Sequence, residues 1–382
     1  MAKNGEIGIA VIGCGRIAQD GHLPYFKAHK EARLVAAVDV NEDNRRKVCK
    51  KFGIAEAFES AEEMFAKVKP DAALICTPSW VHRDLTLLAA ANGAHVFCEK
   101  PMAANAAQCR EMIDACAGAG VVFQLGMVKR FDAGIVKAKK MMLDGRLGNV
   151  SQIAAYSLNP PAPMDTPLME TVKKWMETLG VDFDARTGWW RFTDPRATGG
   201  QLMEMGTHLL DFILFWTGEK IQEYSGFINK KRSDMIFEDQ GTLLVKFPSG
   251  IIATAEINMS VTADNIFGEK ARIYGDKGSL DVNHFHGMWF GVPFYEYIPT
   301  RVTYYGGLAP LLKVGLPVPV PVGKKIYMHR LQAEYFIDSI KGRDTDYFGF
   351  GGGFAADGEA GYEVMKVIDA AYSRGNAGGN ND

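Results

Sequence analysis

No stretch of this 382-residue chain stays apolar for the roughly 20 residues a membrane-crossing helix needs, so no transmembrane span is expected. Charge of one sign is not in excess either. The 43 Lys and Arg stand against 45 Asp and Glu, a formal net charge of −2. Without a basic surplus there is no electrostatic footprint for nucleic acid or for an anionic membrane as partner. The opening residues, MAKNGEIGIAVIG, lack the charged start, apolar stretch and cleavage site of a secretory signal. None of the six cysteines (Cys14, Cys49, Cys76, Cys98, Cys109 and Cys116) forms a CxxC pair, and several sit inside apolar runs. Reduced, mostly buried thiols in a cytoplasmic protein are the expectation. No internal repeat is visible.

The chain is too long for one ordinary core, which predicts two domains, residues 1–128 and 129–382. The first third alternates apolar strands with helical runs. Residues 7–12 (IGIAVI) read as a strand, GCGRIA follows, a helical run continues to about residue 28, and residues 34–38 form a second strand ending in Asp39. Gly13, Gly15 and Ala18 occupy the three positions of GxGxxG/A, with Arg16 and Ile17 between them. Gly13 permits the tight turn, Gly15 lets the backbone approach a pyrophosphate, and Ala18 keeps the helix close to the sheet. The carboxylate of Asp39 suits the adenosine ribose hydroxyls and would repel a 2′-phosphate, so NAD is expected over NADP. Arg16 is within reach of a phosphate and would soften that preference. Residues 72–76, 95–98 and 121–125 continue the strands, and a helix is expected over about 104–117. Together they predict an α/β fold with a doubly wound parallel sheet. Ligands of such sheets bind at the carboxyl ends of the strands, where Asp39, Thr77, Glu99 and Lys100 lie.

Residues 199–211 (GGQLMEMGTHLLD) place Glu204, His208 and Asp211 at i, i+4 and i+7, one face if the run is helical. Such a face serves a metal, a proton transfer or a buried polar cluster. His284 and His286 are the candidates to complete a metal site, but no spacing here matches a known one, and no metal is expected. The HRD at 82–84 lacks the downstream partners of a kinase loop. From about residue 149 short alternating strands appear (150–158, 223–230, 241–247, 251–260 and 271–276), which predicts an antiparallel sheet. Two long stretches, 159–187 and 288–325, read as loops, one expected to cover substrate and the other to help build a subunit interface. Glycines 351–353 read as a loop, and the closing NAGGNND as disordered.

With TPSWVH (77–82), CEKP (98–101) and GGQLMEMGTHLLD in hand, the chain resembles the Gfo/Idh/MocA family of oxidoreductases. The likeness extends through AANGAHVFCEKPMA (90–103), VKRF (128–131), LDGRLGNV (143–150), GWWR (188–191) and DGEAGYEVMKVIDAAYSR (357–374). It implies nicotinamide-dependent chemistry on sugars, inositols and related polyols. It also implies a Rossmann domain followed by an α/β domain on a large, mostly antiparallel sheet. The open face of that sheet often makes a dimer or tetramer contact, so a homodimer or homotetramer is expected. Carried over by position, Lys100 would touch the reacting hydroxyl and His208 would be the general base. The segment from Thr77 and Pro78 to His82 would flank the cofactor, and Glu99 would sit near the nicotinamide ribose. Trp190 and Arg191 would lie near nicotinamide or substrate, and Arg130, Glu204 and Asp211 would face the substrate. Two departures matter: Glu204 stands where the family usually has aspartate, and TPSW replaces TPN, leaving Ser79 and Trp80 to supply the asparagine's contacts.

Oxidising an alcohol removes a proton from oxygen while carbon gives a hydride to NAD⁺. A neutral imidazole suits the proton, and a lysine ammonium stabilises charge developing on the same oxygen. A NAD-using glycosidase or lyase, acting by transient oxidation and elimination, would use the same parts without net NADH release. A non-catalytic NAD or sugar sensor is the third reading. For Glu204, holding substrate, tuning His208 and capping the helix all stay open.

Overall fold

A computed structural model of the chain describes residues 5–158, 171, 174–175, 178, 190–261, 268–285, 288–289, 292–293, 300–307, 315–320, 328–351 and 354–377. The chain divides into two compact units, Met1–Phe131 with Tyr327–Lys366, and Asp132–Ile326 with Val367–Asp382. The sequence suggests one boundary, after residue 128; the packing instead brings a later segment back to the first unit.

The first unit is built on six parallel strands: β1 (Ile7–Ile12), β2 (Ala32–Val38), β3 (Glu56–Phe58), β4 (Ala72–Ile75), β5 (His95–Cys98) and β6 (Phe123–Leu125). Their order, β3-β2-β1-β4-β5-β6, reverses between β1 and β4. Every residue of β1 and β4 is buried, as in a sheet covered on both faces, so these strands read as unbroken apolar runs. The returning helices are capped by their own sequence. Asn41, Ser60 and Asn105 accept backbone N–H bonds at the starts of Glu42–Phe52, Ala61–Lys67 and Ala106–Ala119. Helix Met328–Ile340 completes this core, with Ala333, Phe336 and Ile337 buried against Ile9, Leu34 and Phe97. Phe336 meets Phe97 edge-on at 5.6 Å between ring centroids, and burying one such side chain is worth about 1.5–3 kcal/mol. That apolar face is the reason the first unit is not continuous in sequence. Glu31 reinforces it, pairing with Lys341 and Arg343 at 2.7 Å each.

The second unit carries an eight-stranded sheet. Its strands are β7 (Val150–Leu158), β8 (Glu223–Asn229), β9 (Gln240–Lys246), β10 (Ile252–Asn258), β11 (Gly268–Gly275), β12 (Gly278–Phe285), β15 (Arg301–Gly307) and β16 (Gly315–Val320); β13 (Met288–Trp289) and β14 (Val292–Pro293) pair separately. The order is β16-β15-β12-β11-β7-β10-β9-β8, antiparallel throughout except for β7 beside β10. Alternation sorts the faces. Ile153, Leu243, Val245, Ala255, Ile257 and Ile273 are buried, and helices Ala133–Leu143 and Thr207–Thr217 pack against the sheet. The register sets Phe227, Leu244, Ile252 and Tyr274 together on the opposite face, all exposed.

The reading of 288–325 as a loop is overturned in part, because β15 and β16 extend the large sheet. Prolines in GLPVPV argue against a central strand, but β16 is outermost. Pro317 and Pro319 alternate, so both missing donors fall on one side of the strand, which an edge tolerates. The proposed substrate cover in 159–187 lies outside the described residues except at 171, 174, 175 and 178. Residues 290–291, 294–299, 308–314 and 321–325, Gly352, Gly353 and most of NAGGNND also lie outside them.

Candidate active site

Gly13 opens the turn after β1 with φ at +94° and donates its N–H to Val38 O at 2.8 Å. A Cβ there would lie 2.6 Å from the carbonyl carbon of Cys76 and 2.7 Å from the Thr77 nitrogen, so the neighbouring backbone admits only glycine. Gly15 differs: a Cβ there would meet no protein atom within 4 Å. Its bare backbone is thus open on the side where a dinucleotide approaches, a cradle that a methyl group would fill. Asp39 closes the loop from β2, Oδ2 accepting the Cys14 N–H at 2.7 Å and Oδ1 the Asn41 N–H at 2.8 Å. The helix after the glycines starts with a π-helical turn, Ile17–His22, before Leu23–Ala28. Arg16 pairs with Asp20 at 3.5 Å, and Ile17 packs on the core. A glycine turn, an open backbone and a carboxylate at the end of β2 fit NAD at the switch point between β1 and β4.

Further along the same edge, His82 is buried with its ring between two backbone carbonyls, Nε2 2.8 Å from Thr77 O and Nδ1 2.9 Å from Pro101 O. Burial lowers its pKa, although both carbonyl contacts oppose that. Both ring nitrogens are taken by protein, so His82 fixes the loops after β4 and β5, including Thr77 and Pro78.

Glu99, 8% exposed, turns inward beneath Lys100. Its Oε1 lies 2.6 Å from His22 Nε2, and its Oε2 accepts the Lys100 N–H at 3.0 Å. Burial would raise this carboxyl, but the His22 contact and the Lys100 charge outweigh it, and the pKa falls below the usual value. Gly126 makes room, since a Cβ there would sit 2.8 Å from the Glu99 carboxyl. His329 meets His22 edge-on at 5.4 Å, and its own burial pushes its pKa down to about 3. Sequence reading missed His22 and His329; their only signal is a histidine inside each apolar helical run. Arg130 is buried beside Lys129 in the turn Val128–Phe131 after β6.

In the second unit GGQLMEMGTHLLD is not one regular helix. Leu202–Gly206 forms a π-helical turn, and the α-helix runs Thr207–Thr217, ending at Gly218 with φ +70°. Glu204 thus stands on the π-helical turn and His208 on the α-helix that follows it. His208 and Asp211 are buried, 6% and 1% exposed, in the first turn and a half of the α-helix. Thr207 ties the two helical forms, its hydroxyl donating to Met203 O at 3.1 Å or Glu204 O at 3.2 Å. The Glu204 carboxylate pairs with Arg191 Nε at 3.1 Å, and the Arg191 guanidinium lies 4.8 Å over the Trp190 ring.

Glu204 stands in the first turn of this segment, and a second acid, Glu238, binds the backbone N–H groups just before it. Glu238 accepts the N–H of Gly200 at 3.1 Å and that of Leu202 at 2.8 Å, and the Tyr372 hydroxyl donates to it at 2.7 Å. Burial raises the Glu238 carboxyl, and burial with the facing carboxylate raises the Tyr372 phenol strongly. Neither residue was found from sequence; the adjacent glycines before LMEMGTH were the available signal.

Among the described residues no group of three or more His, Cys, Asp and Glu could hold a metal, and no helix is long and apolar enough to cross a membrane. Comparison with known proteins agrees with the glycine turn and the two sheets. The oxidoreductase-family NAD-binding Rossmann fold of Gfo/Idh/MocA proteins matches residues 7–127, and the Gfo/Idh/MocA C-terminal domain matches residues 135–281. The chain is 27% identical over 278 residues to myo-inositol 2-dehydrogenase of Thermotoga maritima, across 70% of this chain and 75% of that one. It is 29% identical over 211 residues to D-glucoside 3-dehydrogenase of Escherichia coli, across 55% and 54% of the two chains. The crystal structure of aldose–aldose oxidoreductase from Caulobacter crescentus, complexed with glycerol, superposes with a TM-score of 0.75 at 25% identity, covering 98% of each chain. The chain belongs to the Gfo/Idh/MocA family of oxidoreductases, with an NAD-binding Rossmann domain followed by that family's C-terminal domain.

Proposed function

We propose that the protein is an NAD-dependent dehydrogenase of a sugar, sugar derivative or cyclitol, with Lys100 and His208 serving the reacting hydroxyl. The observation that carries the reading lies within the first unit: Gly15, bare toward solvent, and Lys100, set on a buried carboxylate, end β1 and β5 on one edge of one sheet. Bound NAD supplies the hydride acceptor. The Lys100 ammonium stabilises negative charge on the hydroxyl oxygen, and a ring nitrogen of His208 takes the hydroxyl proton. Glu99 acts on this chemistry through Lys100, whose N–H it holds. Gly13, Gly15, Arg16, Ile17 and Asp39 hold the dinucleotide, with Thr77, Pro78 and His82 walling it. Arg130, Trp190, the Arg191–Glu204 pair and Asp211 are the contacts assigned to the sugar or polyol.

The exposed face bearing Phe227, Leu244, Ile252 and Tyr274 supports assembly as a homodimer or homotetramer. Six free cysteines support a cytoplasmic location.

The test is a panel of myo-inositol, free aldoses and nitrophenyl glycosides with NAD, followed for NADH absorbance and nitrophenol release together. NADH formation from a polyol or sugar is the expected result. Nitrophenol release without NADH accumulation would replace this reading with the lyase, and neither signal on any compound would replace it with a sensor.

A further inference from the structure

The segment carrying Glu204 and His208 hangs, at its N-terminal end, on one residue just before β9. The N–H groups of Gly200 and Leu202 go to the Glu238 carboxylate, and the N–H of Gln201 goes to the Glu238 backbone oxygen at 3.1 Å. These are the donors that a helix start leaves without intrahelical partners. The next bond, Glu204 N–H to Gly200 O at 3.1 Å, opens the helical run itself. Tyr372, from helix Gly358–Ala377, closes the clasp. Its hydroxyl donates to Glu238 Oε1 at 2.7 Å and accepts the Gly200 N–H at 3.2 Å.

The two glycines are what the clasp requires. A Cβ at Gly199 would lie 2.1 Å from the Tyr372 hydroxyl, and one at Gly200 would lie 2.2 Å from the Glu238 backbone oxygen. The neighbouring acid turns the other way: Asp239 accepts the Lys231 N–H at 2.6 Å and the Ser260 hydroxyl, which fixes the segment leading into β9 that presents Glu238. All the contacts to the Glu238 carboxylate come from donors, so an acceptor-only group fits and a glutamine would set its NH₂ against an N–H.

We infer that Glu238 and Tyr372 are positioning residues for the catalytic segment, holding its π-helical turn so that Glu204 and His208 are presented in register. The inference rests on the reading of His208 as the base. A carboxylate at this end also complements the helix dipole. Burial disfavours its charge, so this anion is held at a cost to folding that a neutral replacement would relieve.

The test uses full-length Glu238→Gln, Tyr372→Phe and His208→Asn proteins saturated with NADH. Amide hydrogen exchange is read over residues 199–208, and kcat is taken per NADH-binding site on the best substrate of the panel. Counting NADH sites removes any loss of folded protein from the comparison. In Glu238→Gln, exchange over 199–208 should rise while that over 209–217 holds. Its kcat should fall by about 10- to 100-fold with KM and NADH affinity little changed. Tyr372→Phe, which removes one hydroxyl and leaves the Glu238 bonds to Gly200 and Leu202 in place, should show the same pattern more weakly. Unchanged exchange over 199–208 in both clasp variants would overturn the inference. So would wild-type kcat in both beside an inactive His208→Asn. Wild-type kcat in His208→Asn would refute the base assignment itself, and the inference with it.

Discussion

Two glycines two residues apart should respond in opposite ways to the same methyl group. At Gly13 an alanine must adopt φ +94° and place Cβ 2.6–2.7 Å from the Cys76–Thr77 peptide. The strained backbone costs about 1–3 kcal/mol, and forced overlap in a packed site costs about 1–3 kcal/mol more. Taking roughly 3 kcal/mol together, at about 2–4 °C per kcal/mol for a domain of this size, Gly13→Ala should lower Tm by about 6–12 °C. Gly15 lies outside the positive-φ region and its Cβ would touch no protein atom. Gly15→Ala should therefore leave Tm unchanged or raise it slightly, since Gly→Ala at a compatible site is worth about 0.4–1 kcal/mol. The methyl instead occupies the dinucleotide's approach. NADH affinity should drop by about 10- to 100-fold, a loss of about 1.4–2.8 kcal/mol. Differential scanning fluorimetry and NADH fluorescence titration measure the two effects separately. Gly15→Ala with wild-type NADH affinity, or with a Tm loss equal to that of Gly13→Ala, would refute the assignment of this loop.

Lys100→Ala should cut kcat by about 10²- to 10⁴-fold while NADH affinity stays within a few-fold, checked by steady-state kinetics and titration. His22→Phe leaves Glu99 buried without its 2.6 Å partner and should destabilise the first unit by about 3–5 kcal/mol in chemical denaturation. In the wild type the Glu99 carboxyl is held below 4.5, so its stabilising contribution is complete above that pH and is lost as pH falls through the folded value. Part of the acid-side loss of Tm should therefore be missing in the variant. Leu244→Asp, on the exposed sheet face, should reduce the oligomer mass seen by light scattering, because it sets a charge on a face that otherwise offers Phe227, Ile252 and Tyr274 to a second copy.

The parallel sheet was legible because β1, β4 and β5 are covered on both faces and so appear as unbroken apolar runs between helices. The glycine turn was legible because its spacing is local, and the family because its motifs are short contiguous runs such as CEKP and GGQLMEMGTH. What escaped was long-range or irregular. Phe336 packs on Phe97, and Tyr372 bonds Glu238, across separations of more than 130 residues that no periodicity spans. The π-helical turn at Leu202–Gly206 has no signature in the apolar spacing, and the pairing of Glu204 with Arg191 joins residues 13 apart that no periodicity links. Alternating prolines hid β16, because proline excludes a central strand but not an outermost one. The contact between the Glu99 carboxyl and His22 also escaped, because it joins residues 77 apart in the chain.

The most direct test of hydride transfer through these residues is isotopic. A polyol or sugar deuterated at the reacting carbon is incubated with NAD and the wild-type, Lys100→Ala or His208→Asn enzyme, and deuterium in the nicotinamide is measured by mass spectrometry. One deuterium appearing in NADH for each hydroxyl oxidised by the wild type, and none above background in either variant despite intact NADH binding, is the predicted result. Label transfer at the wild-type rate in either variant, or product formed with no label in the cofactor, would contradict it.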